Sequence, residues 1–213
     1  MKPVSVIIFD LGKVIVDLSH FEIAAALAEK SKHPRFQTPE LLLSEVFDNN
    51  EPLTKAFDEG KYSPQEFFEI AKSTFELDIS FDDFNMRWNT SFKENVKVTQ
   101  LIEYLRPRYR LFLLSNTNPL HYNFLKKSIP VLKKMDQTIL SYKVGHLKPS
   151  PEIYQFALQK AGVSSEQVLF IDDSPLNVQG AKNLGIHGVL FKNAEDLKKK
   201  LIQHNIKIHC CPK

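Results

Sequence analysis

Residues 4–9, Val4-Ser5-Val6-Ile7-Ile8-Phe9, form an apolar run without the alternation of a strand that has one wet face. A strand buried on both faces reads this way, and such strands belong to parallel sheets covered on both sides by helices. The run stops at Asp10. After a long helical stretch the pattern resumes: Arg110-Leu111-Phe112-Leu113-Leu114, a short strand near 138–141, Val168-Leu169-Phe170-Ile171 and Ile186 to Phe191. Helices are expected between them at 97–106, from Asn118-Pro119, from Ser150-Pro151 to Ala161, at 175–184 and at 194–204. Strands alternating with helices predict an α/β fold with a Rossmann-like parallel sheet and helices on both faces. Ligands of such sheets bind beyond the carboxyl ends of the strands.

Nothing between about 19 and 93 resembles a buried strand. Helix starts follow one another instead: Ser19-His20-Phe21-Glu22, Thr38-Pro39, Ser63-Pro64-Gln65-Glu66 and Ser80-Phe81-Asp82-Asp83. Serine or threonine followed three residues later by glutamate is a capping box, and proline fits the first helical position. Gly60 can end the helix before it. A core of 1–16 and 97–213, with a small helical domain of 17–96 inserted after the first strand, is the expected division.

The bulk numbers exclude several classes. A net charge of +3 with scattered lysines gives no footprint for nucleic acid. No stretch is long enough to span a membrane. The apolar start is broken by Asp10 and Lys13, with no small-residue cleavage site after it, so it is not read as a secretion signal. The only cysteines, Cys210 and Cys211, are neighbours; a reducing cytoplasm is the expected compartment. The tail from Ile206 is expected to be an edge strand or disordered.

The residues that follow the apolar runs carry the chemistry. Asp10 follows the first, Ser115 and Asn116 the second, Asp172 and Asp173 another, and Lys148-Pro149 lies in a loop before a helix. Each alone reads as a turn, cap or solvated residue. Together they place carboxylates, a hydroxyl and a lysine on one sheet edge. Adjacent carboxylates repel unless a cation joins them, and oxygen ligands in this number suit Mg²⁺.

These segments resemble the four motifs of the haloacid dehalogenase superfamily: Ile8-Phe9-Asp10-Leu11-Gly12, Leu113-Leu114-Ser115-Asn116-Thr117-Asn118, Lys148-Pro149 and Phe170-Ile171-Asp172-Asp173. The likeness is greatest to bacterial sugar-phosphate phosphatases of the α-D-glucose-1-phosphate type, and more distant to the amino-terminal domain of soluble epoxide hydrolases. It implies that the insert is a cap domain and that the substrate is a small phosphorylated metabolite, a sugar phosphate. It also implies an aspartyl-phosphate formed on Asp10, with Lys148 neutralising phosphate. Ser115 and backbone amides around Asn116 would bind phosphate. Mg²⁺ would be held by Asp10, the carbonyl of Gly12 and Asp173, with Asp172 nearby. Asn177 would support this shell.

Gly12 departs from the pattern, because most phosphatases of the superfamily carry a general acid/base aspartate there. General acid–base catalysis contributes roughly 10²–10⁴-fold. Its absence matters least for an easily expelled group such as an anomeric oxygen. Water or a cap residue could supply the proton, Asp17 and His20 being the candidates. The rivals are a phosphotransferase, a catalytically weak phosphate-binding protein, and a 2-haloacid dehalogenase, against which Asp172-Asp173 argues. Phe21, Phe47, Tyr62, Phe68, Phe84 and Trp88 are candidates to line the cap, although aromatic residues at helical spacing more often form core.

Overall fold

The computed structural model describes residues 3–48 and 52–208. The chain runs through β1 (Val6–Phe9) and β2 (Val16–Asp17) into α1 (His20–Ala28), α2 (Pro39–Leu43), α3 (Leu53–Asp58), α4 (Pro64–Phe75) and α5 (Phe81–Trp88). It returns through β3 (Lys93–Glu94), α6 (Val96–Leu105), β4 (Arg110–Ser115), α7 (Pro119–Ser128), β5 (Gln137–Leu140) and α8 (Ser141–Val144). The rest is α9 (Pro151–Ala161), β6 (Val168–Asp172), α10 (Pro175–Lys182), β7 (His187–Leu190) and α11 (Ala194–Gln203).

The apolar run becomes the central strand of a parallel sheet ordered β5-β4-β1-β6-β7. Ile7, Phe9, Leu111, Leu113, Leu169 and Ile171 face one apolar layer. Val6, Ile8, Phe112, Leu114, Val168 and Phe170 face the other. Both faces are dry, which is why these strands show no alternation. The chain winds from β1 outward through β4 to β5, then crosses to β6 and β7, so the sheet reverses direction around β1. A crevice opens at that point beyond the carboxyl ends.

Residues between β2 and β3 build a second apolar cluster, and it is aromatic. Phe57 stacks on Phe67 at 4.1 Å, Phe67 meets Trp88 edge-on at 5.0 Å, and Phe84 stacks on Trp88 at 5.5 Å. Short helices that cross irregularly leave wide gaps, and large rings fill them; each such pair adds about 0.5–1.5 kcal/mol beyond its area. The capping box at Ser63 is complete, with Ser63 and Glu66 each satisfying the other's backbone N–H. At Ser19 only half forms: its hydroxyl accepts from Glu22 N, 3.2 Å.

Sequence patterning missed the stem of this insert. β2 and β3 pair antiparallel through Val16–Glu94 and Asp17–Lys93, and Asn95 N–H donates to Ile15 O at 2.9 Å. Two-residue strands are too short to carry a periodic signal. Residues 206–208 form no strand, and Cys210 and Cys211 lie outside the described residues. No described helix is long and apolar enough to cross a membrane.

Candidate active site

Sheet register assembles the site. Phe9 is level with Leu113 on β4 and Ile171 on β6, so Asp10 follows directly beside Asp172. The Asp10 amide donates to Ile171 O at 2.9 Å and fixes the strand end. Lys148 enters from the loop between α8 and α9. Its Nζ donates to Asp10 Oδ1 at 2.6 Å and to Asp172 Oδ2 at 2.7 Å. Its side chain is 1% exposed, beside the ring of Phe170. Charges buried this deeply persist only when paired and hydrogen-bonded.

Asp172 is the most heavily committed of the three acids. Oδ1 accepts from Ser174 N–H at 2.8 Å and from Asn177 Nδ2 at 3.0 Å, while Oδ2 takes Lys148 and a longer contact from Asn177 at 3.2 Å. Tyr154 hydroxyl donates to Asn177 O at 2.8 Å and steadies that residue. Asp173 is half-buried, 4.0 Å from the exposed Lys13. Asp10 keeps Oδ2 outside the lysine pairing.

Negative charge is in excess here. Burial, together with Asp172, pushes the Asp10 carboxyl up to about 6 against the opposing pull of Lys148. Burial and Asp172 also raise Asp173. Burial alone would lower Lys148, but the two aspartates outweigh it and hold it charged. Asp10, Asp172 and Asp173 each offer a carboxylate oxygen within 4.8 Å of the others. Three clustered hard oxygen donors with one resident lysine fit a divalent cation such as Mg²⁺.

Ser115 ends β4, buried, and its hydroxyl makes only a long 3.3 Å contact to Asn116 O. The Asn116 side chain lies on the next loop: Nδ2 donates to Lys148 O at 2.9 Å, and Oδ1 accepts from Lys148 N–H at 2.8 Å. It clamps the lysine loop, a function not evident from its motif. Thr117 and Ser141 are tied in the same way, by bonds of 2.9 and 3.0 Å.

Above this edge lies a cavity of about 350 Å³ between the sheet and the insert, lined by Gly12, Ser115, Asn116, Phe47, Asp58 and His121 among others. A Cβ at Gly12 would stand 3.1 Å from Leu18 Cδ2, so an apolar side chain adjoins the place where an acid was expected. Of the six cap aromatics considered, Phe47 lines the cavity, with His20 stacked on it at 4.2 Å. Phe68, Phe84 and Trp88 are core, Tyr62 lies elsewhere and Phe21 is 45% exposed. Asp17 sits exposed on β2 and is not part of the cavity wall, whereas His20 is. Asp58, which the sequence did not single out, is part of that wall. His121 is neutral, burial and His20 holding it near 3, and its Nδ1 lies 3.1 Å from Asn89 Oδ1.

A model of haloacid dehalogenase-like hydrolases matches residues 4–185. The chain belongs to this family. Within it, the chain is 28% identical over 202 residues to a D-ribitol-5-phosphate phosphatase of Bacteroides thetaiotaomicron, covering 92% of this chain and 95% of that protein. It is 26% identical over 129 residues to a phosphorylated carbohydrates phosphatase of Thermotoga maritima, covering 56% of this chain and 60% of that one. A family enzyme from Bacteroides thetaiotaomicron, solved with magnesium and inorganic phosphate, superimposes with a TM-score of 0.81 at 27% identity, over 92% of this chain and 98% of that one. This hydrolase carries its acidic cluster at the carboxyl edge of a five-stranded parallel sheet.

Proposed function

We propose that this hydrolase is a Mg²⁺-dependent phosphatase that cleaves the monoester of a small sugar or polyol phosphate. The observation that carries the reading is Asp10, buried and oriented by Lys148, with Asp172 and Asp173 beside it, at the edge whose Leu11, Gly12 and Ser115 line a cavity of metabolite size. The names of the relatives support the substrate class.

Asp10 attacks phosphorus through Oδ2 while Lys148 holds Oδ1. The P–O bond to the alcohol breaks, and water later cleaves the aspartyl-phosphate. Lys148 offsets charge on the phosphoryl oxygens, and Ser115 with its loop binds them. Asp10, Asp173 and the Gly12 carbonyl would hold Mg²⁺, which when bound lets two anions approach one another. Asp172 positions Lys148. Residues 17–96 act as the cap, closing over the leaving group and excluding water. Three carboxylates at one point would oppose a carboxylate-bearing haloacid, and a metal-bound phosphate suits them better.

The test is phosphate release from a panel of sugar, polyol and other metabolite phosphates, with Asp10→Asn as the control. Release that needs both Mg²⁺ and Asp10 is expected. No release above the variant from any ester would leave a phosphate-binding protein without turnover.

A further inference from the structure

A sugar or polyol phosphate leaves as an alkoxide, which must gain a proton as the P–O bond breaks. On the sheet edge nothing in the usual place supplies it, because Gly12 stands there beside Leu18. The part of the cavity wall that the insert supplies does carry a carboxyl group. Asp58 is the last residue of α3, and its Oδ1 accepts from Asn118 Nδ2 at 3.0 Å. Asn118 is itself fixed as the cap of α7, its own Oδ1 accepting from His121 N–H at 3.0 Å. Asp58 Oδ2 has no partner among the described residues.

The end of α3 also lies hard against the core. Gly60, at φ +76°, approaches α8 so closely that a Cβ there would stand 2.1 Å from Tyr142 O. Asp58 is thus pinned to the core from two sides while belonging to the insert.

Resting on the phosphatase reading, we propose that Asp58 is the general acid and base of this enzyme, supplied by the insert in place of the missing aspartate at position 12. In the first half-reaction Asp10 bonds to phosphorus, the ester P–O bond breaks, and Asp58 Oδ2–H passes its proton to the departing oxygen. In the second, water attacks phosphorus and gives a proton to the Asp58 carboxylate, and Asp10 leaves as carboxylate. Ester and water become alcohol and phosphate, and Asp58 ends protonated as it began.

The local chemistry suits both halves. Burial first, and Glu59 next, raise the Asp58 carboxyl to about 7 against the hydrogen bond from Asn118. A group that titrates near the working pH serves as acid and base alike. The other titratable or charged groups around it are Lys55 and Glu59 on its own element, His20 on α1, His121 on α7 and Tyr142 on α8. His121 is held neutral near 3, so it is a poor proton donor.

The test compares Asp58→Asn with the natural enzyme on two esters, D-ribitol 5-phosphate and p-nitrophenyl phosphate, with Mg²⁺. Asparagine keeps the acceptor for Asn118 and loses the proton. The alkyl ester should slow by about 10²–10⁴-fold. The first-turnover release of p-nitrophenolate, a leaving group that needs no proton, should stand unchanged. For the natural enzyme, kcat/KM for the alkyl ester should fall as pH rises through about 7, where Asp58 loses its proton. Equal loss on both esters, or no loss on either, overturns the role. If the natural enzyme hydrolyses neither ester above the Asp10→Asn background, the phosphatase reading fails and takes this one with it; activity above that background with the same loss on both esters in Asp58→Asn overturns the acid role alone.

Discussion

The sheet edge and the helical insert are buried by opposite means. At the edge Asp10, Lys148 and Asp172 are sunk into the protein and survive by satisfying one another. In the insert, Phe57, Phe67 and Phe84 are buried among themselves and need no partners beyond contact. Polar burial of the first kind is directional, so each donor and acceptor must sit at one place. Apolar burial of the second kind tolerates many arrangements. One chain uses the first to hold reactive groups and the second to hold a shape over them.

The largest effect that would test this contrast is at Lys148. Lys148→Ala leaves two buried carboxylates facing each other, and loss of one partner of a buried pair costs about 3–5 kcal/mol. Activity and thermal stability should fall together. If stability holds while activity is lost, the lysine is not part of what keeps the edge folded.

Phe67→Ala should cost about 3–5 kcal/mol through the cavity it leaves. Here stability and chemistry should separate. Because Phe57 stacks on Phe67 and directly precedes Asp58, turnover of an alkyl phosphate should drop more than the first turnover of p-nitrophenyl phosphate at a temperature where the protein is folded. Equal losses would mean that the aromatic cluster does not position α3. The smallest effect is at Ser63→Ala, which removes one half of an exposed capping box outside the cavity wall and should cost about 1 kcal/mol with no change in kinetics on either ester.

The same contrast explains what could be read from the chain alone. Asp10, Ser115, Asp172 and Asp173 each end a run of residues buried on both faces, so pattern gives the sheet and adjacency gives the edge. Lys148 is legible through its motif. Asp58 is not, because Lys55-Ala56-Phe57-Asp58-Glu59-Gly60 reads as an ordinary helix end. Its place on the cavity wall depends on how α3 meets α7 and α8, contacts between residues some sixty to eighty positions apart. The clamp by Asn116 was hidden for the same reason: its partner is the backbone of Lys148, to which no side-chain pattern points. Phe67, central to the insert, does not stand out in the sequence from neighbours at similar spacing, since periodicity marks a buried face without ranking its members.

The paired strands β2 and β3 give the insert a single two-stranded root. Both strands leave the sheet side by side, joined by Val16–Glu94 and Asp17–Lys93 and anchored by the bond from Asn95 to Ile15. The root is not the only tie to the core, because α3 also meets α7 through Asp58 and Asn118 and α8 through Gly60 and Tyr142. Rotation that lifts α3 from the core has to break the hydrogen bond between Asp58 and Asn118 and the close approach of Gly60 to Tyr142. An insert that opened in this way would carry Asp58 off the cavity wall, so that opening and loss of the proposed proton source would be one event.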